Sequence, residues 1–396
     1  MSSGLLSIAE ARARIAEAVA PLDVDSVALD DACGRVLGEE IVAEHDVPPF
    51  DNSAMDGFAV RAGSGGRLLL VDESRAGRGA AVTLGPEEAI RISTGAPLPA
   101  GADAVVPIER ASVEGDMVAL DAPAEPGANV RRAGEDMPAG TVVVTAGTPL
   151  GPAELAAIAA AGRGTVSCGR RPRVAVLVTG DELVPAGARL GEGQIHNTNE
   201  PALAALTRAA GAELVLRRHV GDDADQTRAA ISAALEVADV IAVSGGVSVG
   251  PHDHVKSSLI ELGVEQRFWG VALKPGKPTW FGARGRQLAF GLPGNPVSAF
   301  VCFALFVRPA LRALQGAAFE PRRGIARLDT SVQRSRDREQ ALRVTLDARA
   351  DGLFARPTGA QGSHVITSLL GADALAMIAA GDGQAARGDE IEIELL

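Results

Sequence analysis

Four short loops hold most of the residues in this 396-residue chain that could handle an anion. The first is Thr179-Gly180-Asp181-Glu182-Leu183. The second is Ser244-Gly245-Gly246-Val247-Ser248-Val249-Gly250, with His252-Asp253-His254 just beyond it. The third is Lys274-Pro275-Gly276-Lys277-Pro278, and the fourth runs from Gly291 through Pro293-Gly294-Asn295-Pro296 to Ser298. Glycines let backbone N–H groups close around an anionic oxygen. Ser244 and Ser248 could add hydroxyl donors, and Lys274 and Lys277 supply formal charge. Glu182 and Asp253 offer the hard oxygen ligands that a magnesium ion takes beside phosphates. A helix opening at Pro296 would aim its positive end at the same place. Together these features describe a phosphate or nucleotide site.

Each feature alone also has a plainer reading. A glycine-rich loop is often only a tight turn, and a surface lysine or carboxylate is usually just solvated. Asp51-Asn52-Ser53-Ala54-Met55-Asp56-Gly57 reads on its own as an Asx turn leading into a strand. His196, His252 and His254 offer an H-x-H pair without a third ligand, which fits loop histidines better than a metal site. Where the elements put the four loops decides whether they act together.

Those elements are legible between 172 and about 315. Residues 173–178 form a continuous apolar run, as in a strand buried on both faces. A helix is expected from 199 to 210, a strand over 213–220, a helix over 225–237 and a strand over 239–243. A helix over 252–262, a short strand at 288–290 and a long helix from 296 to about 314 complete the alternation. Alternating strand and helix implies right-handed βαβ units and a mainly parallel, doubly wound sheet. In such sheets ligands bind outside the carboxyl ends of the strands, which is where all four loops fall.

The rest of the chain differs. Ser7-Ile8-Ala9-Glu10 is a capping-box pattern opening a helix to about Ala20. From about 46 to 140, recurrent Pro and Gly between short apolar runs predict a small β module. A short helix is expected from Pro152 to Ala161. Beyond 319, residues 343–346 and 390–394 alternate with period two, the signature of half-exposed antiparallel strands in a small barrel or sandwich.

Composition narrows the function classes. The net charge of −12 would repel a nucleic-acid backbone. The longest apolar run, near 297–307, is too short to span a bilayer and ends at Arg308-Pro309. The N-terminus lacks a signal-peptide pattern, so no membrane partner is expected and the cytoplasm is the expected compartment. Cys33, Cys168 and Cys302 fit no zinc or CxxC spacing and read as small core hydrophobes in a reducing compartment.

The motifs FDNSAMDGFAV, STGAPLP, GEDM, TGDEL, GQIHNTN, SGGVSVG, KPGKP, GLPGNPVSA and QGSH occur in this order over nearly the whole chain. The sequence therefore resembles the MoeA family, which includes the E domain of gephyrin-type proteins. The resemblance implies a multidomain α/β chain in four parts. A linking domain would comprise 1–45 plus 139–171, and a β-rich insertion 46–138. A doubly wound, MogA-like molybdopterin-binding domain would span 172–318, with a C-terminal β-barrel over 319–396. It implies insertion of molybdenum from molybdate into adenylylated molybdopterin with release of AMP, assisted by Mg2+ on Glu182 and Asp253. It also implies a homodimer that could meet the adenylylating enzyme and downstream molybdenum cofactor proteins. By position, Asp56, Thr94, Asp136, Glu182, Asp222 and Asp253 become catalytic candidates. Ser244, Gly245, Gly246, Ser248, Lys274, Lys277, Pro293, Gly294, Asn295, Pro296, Ser298, Arg343 and Ser363 become candidates for holding the substrate or oxyanion. The alternatives are a non-catalytic scaffold, as the same fold also serves in gephyrin-type proteins, and a nucleotide-binding protein of the same fold.

Overall fold

The structure is a computed structural model that describes residues 4–247 and 254–396. The chain divides into two compact units. One comprises Met1–Asp25, Gly34–Gly38 and Ser167–Leu396, and the other Ser26–Cys33 and Glu39–Val166.

In the first unit, Arg173–Thr179 lies in a six-stranded sheet between Glu213–Val220 and Val240–Ser244, parallel to both. Gln287–Leu292 joins in parallel on the far side of Val240–Ser244. The apolar run expected at 173–178 is buried from Val174 onward because helices cover both faces of the sheet. Two further strands had no clear sequence signal. Trp280–Arg284 and Glu265–Trp269 extend the sheet antiparallel beyond Gln287–Leu292. The helix expected from 252 is described from His254 to Glu261.

The long apolar helix runs from Pro296 to Leu314 with a π segment at Phe303–Val307. By length and apolar composition it could cross a membrane, but it is mostly buried inside the protein, where it forms the central core helix. The helix passes through Pro309 to Leu314, as expected. The π segment accommodates the proline, and the Leu305 carbonyl accepts a bond from Arg12 Nε at 3.1 Å. Arg12 belongs to the first helix, Ile8–Ala18, which opens on the expected capping box of Ser7 and Glu10. Its Ile8, Ala11 and Ile15 pack into the same core. Arg12 also grips Glu394 through two bonds of 2.6 Å, both groups being buried.

The C-terminal strands close on themselves. Glu339–Arg349 pairs with both Gly352–Pro357 and Ala374–Ile378, and the ring continues through Arg323–Leu328 and Glu390–Leu395. This is a barrel rather than an open sandwich. The period-two reading of 390–394 holds at Glu390, Ile391 and Ile393 but fails at Glu394, which is buried because Arg12 meets it from outside the barrel. At the other side of the barrel, Arg349 and Arg356 donate to Asp329 at 3.0 and 2.8 Å and hold its carboxyl down to about 2. A depressed carboxylate stabilises the fold above its unfolded pKa, about 3.9, and loses that contribution as pH falls through the folded value. The melting temperature of the native chain should therefore fall more steeply between about pH 4 and pH 2 than that of Asp329→Asn. Parallel curves would show that the pair of arginines contributes nothing to acid stability.

The second unit centres on a six-stranded sheet in the order Ala104–Pro107, Gly57–Val60, Glu88–Ile92, Gly66–Ser74, Met117–Leu120 and Ala111–Glu114. All its pairings are antiparallel except that of Gly66–Ser74 with Glu88–Ile92. Gly57 begins the second strand where a Cβ would lie 2.0 Å from the Val106 carbonyl oxygen, so only glycine lets the strands meet there. Pro152–Ala160 is helical as expected, and Gly162 follows it at φ +94.

Of the cysteines, Cys168 and Cys302 are buried, as expected, but Cys33 is exposed. Burial pushes the Cys302 thiol up to about 12, which leaves it inert as a nucleophile at neutral pH.

Candidate active site

The parallel strands of the first unit end side by side, and their exits define a cavity of about 820 Å3. Thr179 stands at the end of Arg173–Thr179, Ser244 at the end of Val240–Ser244, and Pro293 directly after Gln287–Leu292, and all three line this space. Glu182, Gly294, Asn295 and Pro296 complete much of its polar wall, while Leu183, Leu190 and Ile195 supply apolar surface. His364 and Ile366 from the C-terminal part contribute a further edge. The sequence placed the crevice at this edge of the sheet, and it is there.

Close backbone approach explains the glycines. Gly245 sits at φ +96, where a Cβ would come within 2.8 Å of the Thr179 carbonyl oxygen and 2.6 Å of its Oγ1. Gly246 follows at φ +62. The Gly245 N–H donates to the Leu292 carbonyl at 3.1 Å, which locks the second loop to the fourth. Ser244 is fully buried, and its hydroxyl donates to the Pro293 carbonyl at 3.0 Å. That single proton is committed, so Ser244 is not the free hydroxyl donor expected from the sequence.

The fourth loop is braced from the C-terminal part. Asn295 Nδ2 donates to Ser363 Oγ at 3.1 Å, and the Val297 N–H donates to the Ser363 carbonyl at 3.2 Å. One of the amide donors expected to point at a ligand from the helix start is thus spent inside the protein. Ser298 is buried on that helix and is not part of the cavity wall.

Arg343 is enclosed as well. Its Nε donates to Ser368 Oγ at 3.1 Å, and its Nη1 and Nη2 face the Ala341 and Gly362 carbonyls at 3.5 Å. It has no carboxylate partner among the described residues, and burial pushes its pKa down to about 10, so it remains charged at neutral pH. It shares the strand face of Ala341 and pairs across the sheet with Leu375, the face that packs on the α/β core rather than inside the barrel, and it bonds the 361–368 segment without lining the cavity. Lys274 and Lys277 are exposed and do not line the cavity, although Pro278 of the same loop does.

Glu182 folds over Gly180, its Oε2 lying 2.3 Å from where a Gly180 Cβ would stand, and the φ of +141 at Gly180 favours glycine there. Asp222 lies beside the same loop, its N–H donating to Asp181 Oδ1 at 3.1 Å. His219 contacts the Gly180 carbonyl at 2.7 Å. Ser248, Asp253 and His252 lie outside the described residues. Among the described residues no group of three His, Cys, Asp or Glu side chains is arranged to hold a metal. Glu182 still fits magnesium, which commonly takes one or two protein carboxylates and keeps several waters.

In the second unit, the structure brings Asp56 and Thr94 together: the Thr94 N–H donates to Asp56 Oδ1 at 2.7 Å. The turn before Gly57 is made by serine rather than by an Asx residue, Ser53 Oγ bonding the Met55 carbonyl at 2.5 Å and its N–H at 3.2 Å. Asp51 instead accepts from the Ala133 N–H and Arg132, which hold its carboxyl below the usual range. Asp136 is exposed, and its backbone N–H donates to Val47 at 3.0 Å.

One important residue was missed. Asn199 lies in the GQIHNTN motif and lines the cavity, but its type alone did not separate it from Asn197 beside it. Asn197 Oδ1 caps the following helix by accepting from the Glu200 N–H at 3.1 Å. Asn199 does something different: Nδ2 donates to Ser244 Oγ at 2.8 Å and to the Gly294 carbonyl at 2.7 Å.

Comparison with known proteins agrees with this architecture. Residues 6–162 match the MoeA N-terminal region (domain I and II), 175–313 a probable molybdopterin binding domain, and 325–396 the MoeA C-terminal region (domain IV). Molybdopterin molybdenumtransferase 2 of Mycobacterium tuberculosis is 38% identical over 98% of both chains. Molybdopterin molybdenumtransferase of Haemophilus influenzae is 34% identical over 98% of both. The crystal structure of a molybdopterin biosynthesis MoeA protein from Pyrococcus horikoshii superposes with a TM-score of 0.85 at 30% identity, covering 99% of this chain and 100% of that one. The chain belongs to the MoeA-type molybdopterin molybdenumtransferase family.

Proposed function

We propose that this protein inserts molybdenum from molybdate into adenylylated molybdopterin, releasing AMP. The observation that carries the reading is the cavity where three glycine-containing strand exits converge, with Glu182 on its wall and buried Arg343 behind its C-terminal edge.

The difficulty of the reaction is electrostatic. Molybdate is a dianion, and the adenylylated pterin carries a phosphoanhydride and a dithiolene. Bringing them together in a medium of low dielectric costs several kcal/mol of repulsion, roughly the scale of two like charges at contact with an effective dielectric near 20. Arg343, charged and without an acid partner among the described residues, offsets that repulsion from behind the wall. Lys274 and Lys277 lie exposed on the adjoining loop and add long-range attraction. The rigid loop lattice of Ser244, Gly245 and Pro293 holds the two reactants in one orientation, so proximity supplies much of the rate. A magnesium ion held by Glu182, with Asp253 as its second ligand, would polarise the phosphoanhydride for attack by water or a molybdate oxygen. None of the cysteines is needed as a nucleophile. The same reading carries a homodimer in the cytoplasm that receives its substrate from an adenylylating enzyme.

The full chain incubated with adenylylated molybdopterin, molybdate and magnesium is expected to release AMP and to yield a cofactor that reactivates a molybdenum-free molybdoenzyme. AMP release no faster than in the protein-free control overturns the reading.

A further inference from the structure

Asn199 holds its side chain in one orientation. An amide can ordinarily be turned either way, since its oxygen and nitrogen have the same outline. Here the Gly294 carbonyl, 2.7 Å away, can only accept, so the atom facing it is Nδ2. The second Nδ2 proton goes to Ser244 Oγ at 2.8 Å, and Ser244 passes its own proton to the Pro293 carbonyl. Both donors of the amide are spent on the protein. Its acceptor, Oδ1, receives no hydrogen bond from the described residues and is not among the side-chain atoms sealed away without a partner. Asn199 itself is nearly buried yet lines the cavity, whose wall also includes the apolar Leu183 and Ile195 and the fourth loop.

We infer that Asn199 presents Oδ1 to the cavity as a fixed acceptor that reads an N–H on the edge of a planar amino-heterocycle. The chain Asn199 to Ser244 to Pro293 cannot reverse, because it ends on a carbonyl. A ligand that offers an acceptor at this point meets oxygen against oxygen and is rejected, whereas an amino group is bonded. Apolar surface from Leu183 and Ile195 suits the ring faces, and the amide suits the ring edge. Adenylylated molybdopterin carries two such heterocycles, the pterin and the adenine, and both present an exocyclic amine. This inference rests on the proposed function for the choice of ligand.

The test is calorimetric titration of the full chain and its variants with two probe pairs. Pterin is compared with lumazine, which has a carbonyl in place of the amine, and AMP is compared with IMP, which differs in the same way. The native protein is expected to favour the amino member of one pair by at least about tenfold, the scale of one well-placed hydrogen bond plus a mismatched acceptor. The pair that shows it identifies which heterocycle Asn199 reads. Asn199→Ala should erase that preference while leaving the other pair unchanged. Ser244→Ala removes one support but leaves Oδ1, and should keep most of the preference. A merely structural role would weaken all four probes together in Asn199→Ala, and that result overturns the inference. So does native protein that binds the probes without preferring either amine, a result that leaves the proposed function standing. Failure of native protein to bind any probe also overturns the inference, and AMP release from the full substrate then decides the proposed function separately.

Discussion

Arg343→Met should leave the chain folded, with a melting temperature within a few degrees of the native value, and reduce molybdenum insertion at least about a hundredfold. A buried arginine can serve stability or serve the reaction. An arginine kept for stability is paired, and removing it strands its partner at a cost of about 3–5 kcal/mol. Arg343 has no carboxylate partner among the described residues, and two of its contacts are weak 3.5 Å approaches to carbonyls. Its burial is an energetic burden, visible in a pKa pushed down to about 10. Methionine has a similar length, fills the space and removes the charge, so stability should change little. The loss falls on the reaction, where the charge offsets the approach of two anions. A hundredfold fall corresponds to about 2.7 kcal/mol of transition-state stabilisation, modest for one buried charge. The measurements are thermal unfolding and reactivation of a molybdenum-free molybdoenzyme. If Arg343→Met unfolds early yet keeps full insertion activity once folded, the residue serves the barrel and not the anion.

Glu182→Ala should reduce AMP release by about a hundredfold or more and remove its dependence on magnesium. Glu182 is the one described residue of the expected metal pair, and it stands on the cavity wall at a strand exit, folded over Gly180. Glu182→Gln should fare nearly as badly, since a neutral amide is a poor replacement for a carboxylate on magnesium. Binding of the probe heterocycles should survive in both variants, because the ring edge is read elsewhere. Unchanged AMP release with an unchanged magnesium half-saturation would remove Glu182 from the mechanism.

What the sequence disclosed, and what it hid, follows from the range of the interactions involved. The capping box at Ser7, the buried run beginning at Val174 and the helix starting at Asn199 rest on neighbours a few residues apart, so their patterns are complete in the local sequence. The gathering of loops at one sheet edge followed from topology, since parallel strands must send their exits to the same side. The antiparallel additions at Glu265–Trp269 and Trp280–Arg284 gave no comparable signal, because two short strands separated by a proline-rich loop look like irregular chain. Hydrogen-bond direction was also hidden. Ser244 looks like a donor in sequence, and only the Pro293 carbonyl, 49 residues away, shows that its proton is taken. Burial of Arg343 and Glu394 had the same character, since each depends on elements remote in the chain. Asn199 escaped notice because nothing local distinguishes an asparagine that caps a helix from one that joins two loops.

The position at which the substrate binds decides between these possibilities. Crystals of the full chain grown with adenylylated molybdopterin and molybdate, measured at the molybdenum absorption edge, would give that position without assumption. The heterocyclic ligand should occupy the space between Glu182, Asn199 and Gly294, with the molybdenum peak on the side backed by Arg343. Ligand and metal found together at a surface remote from these residues would contradict the account.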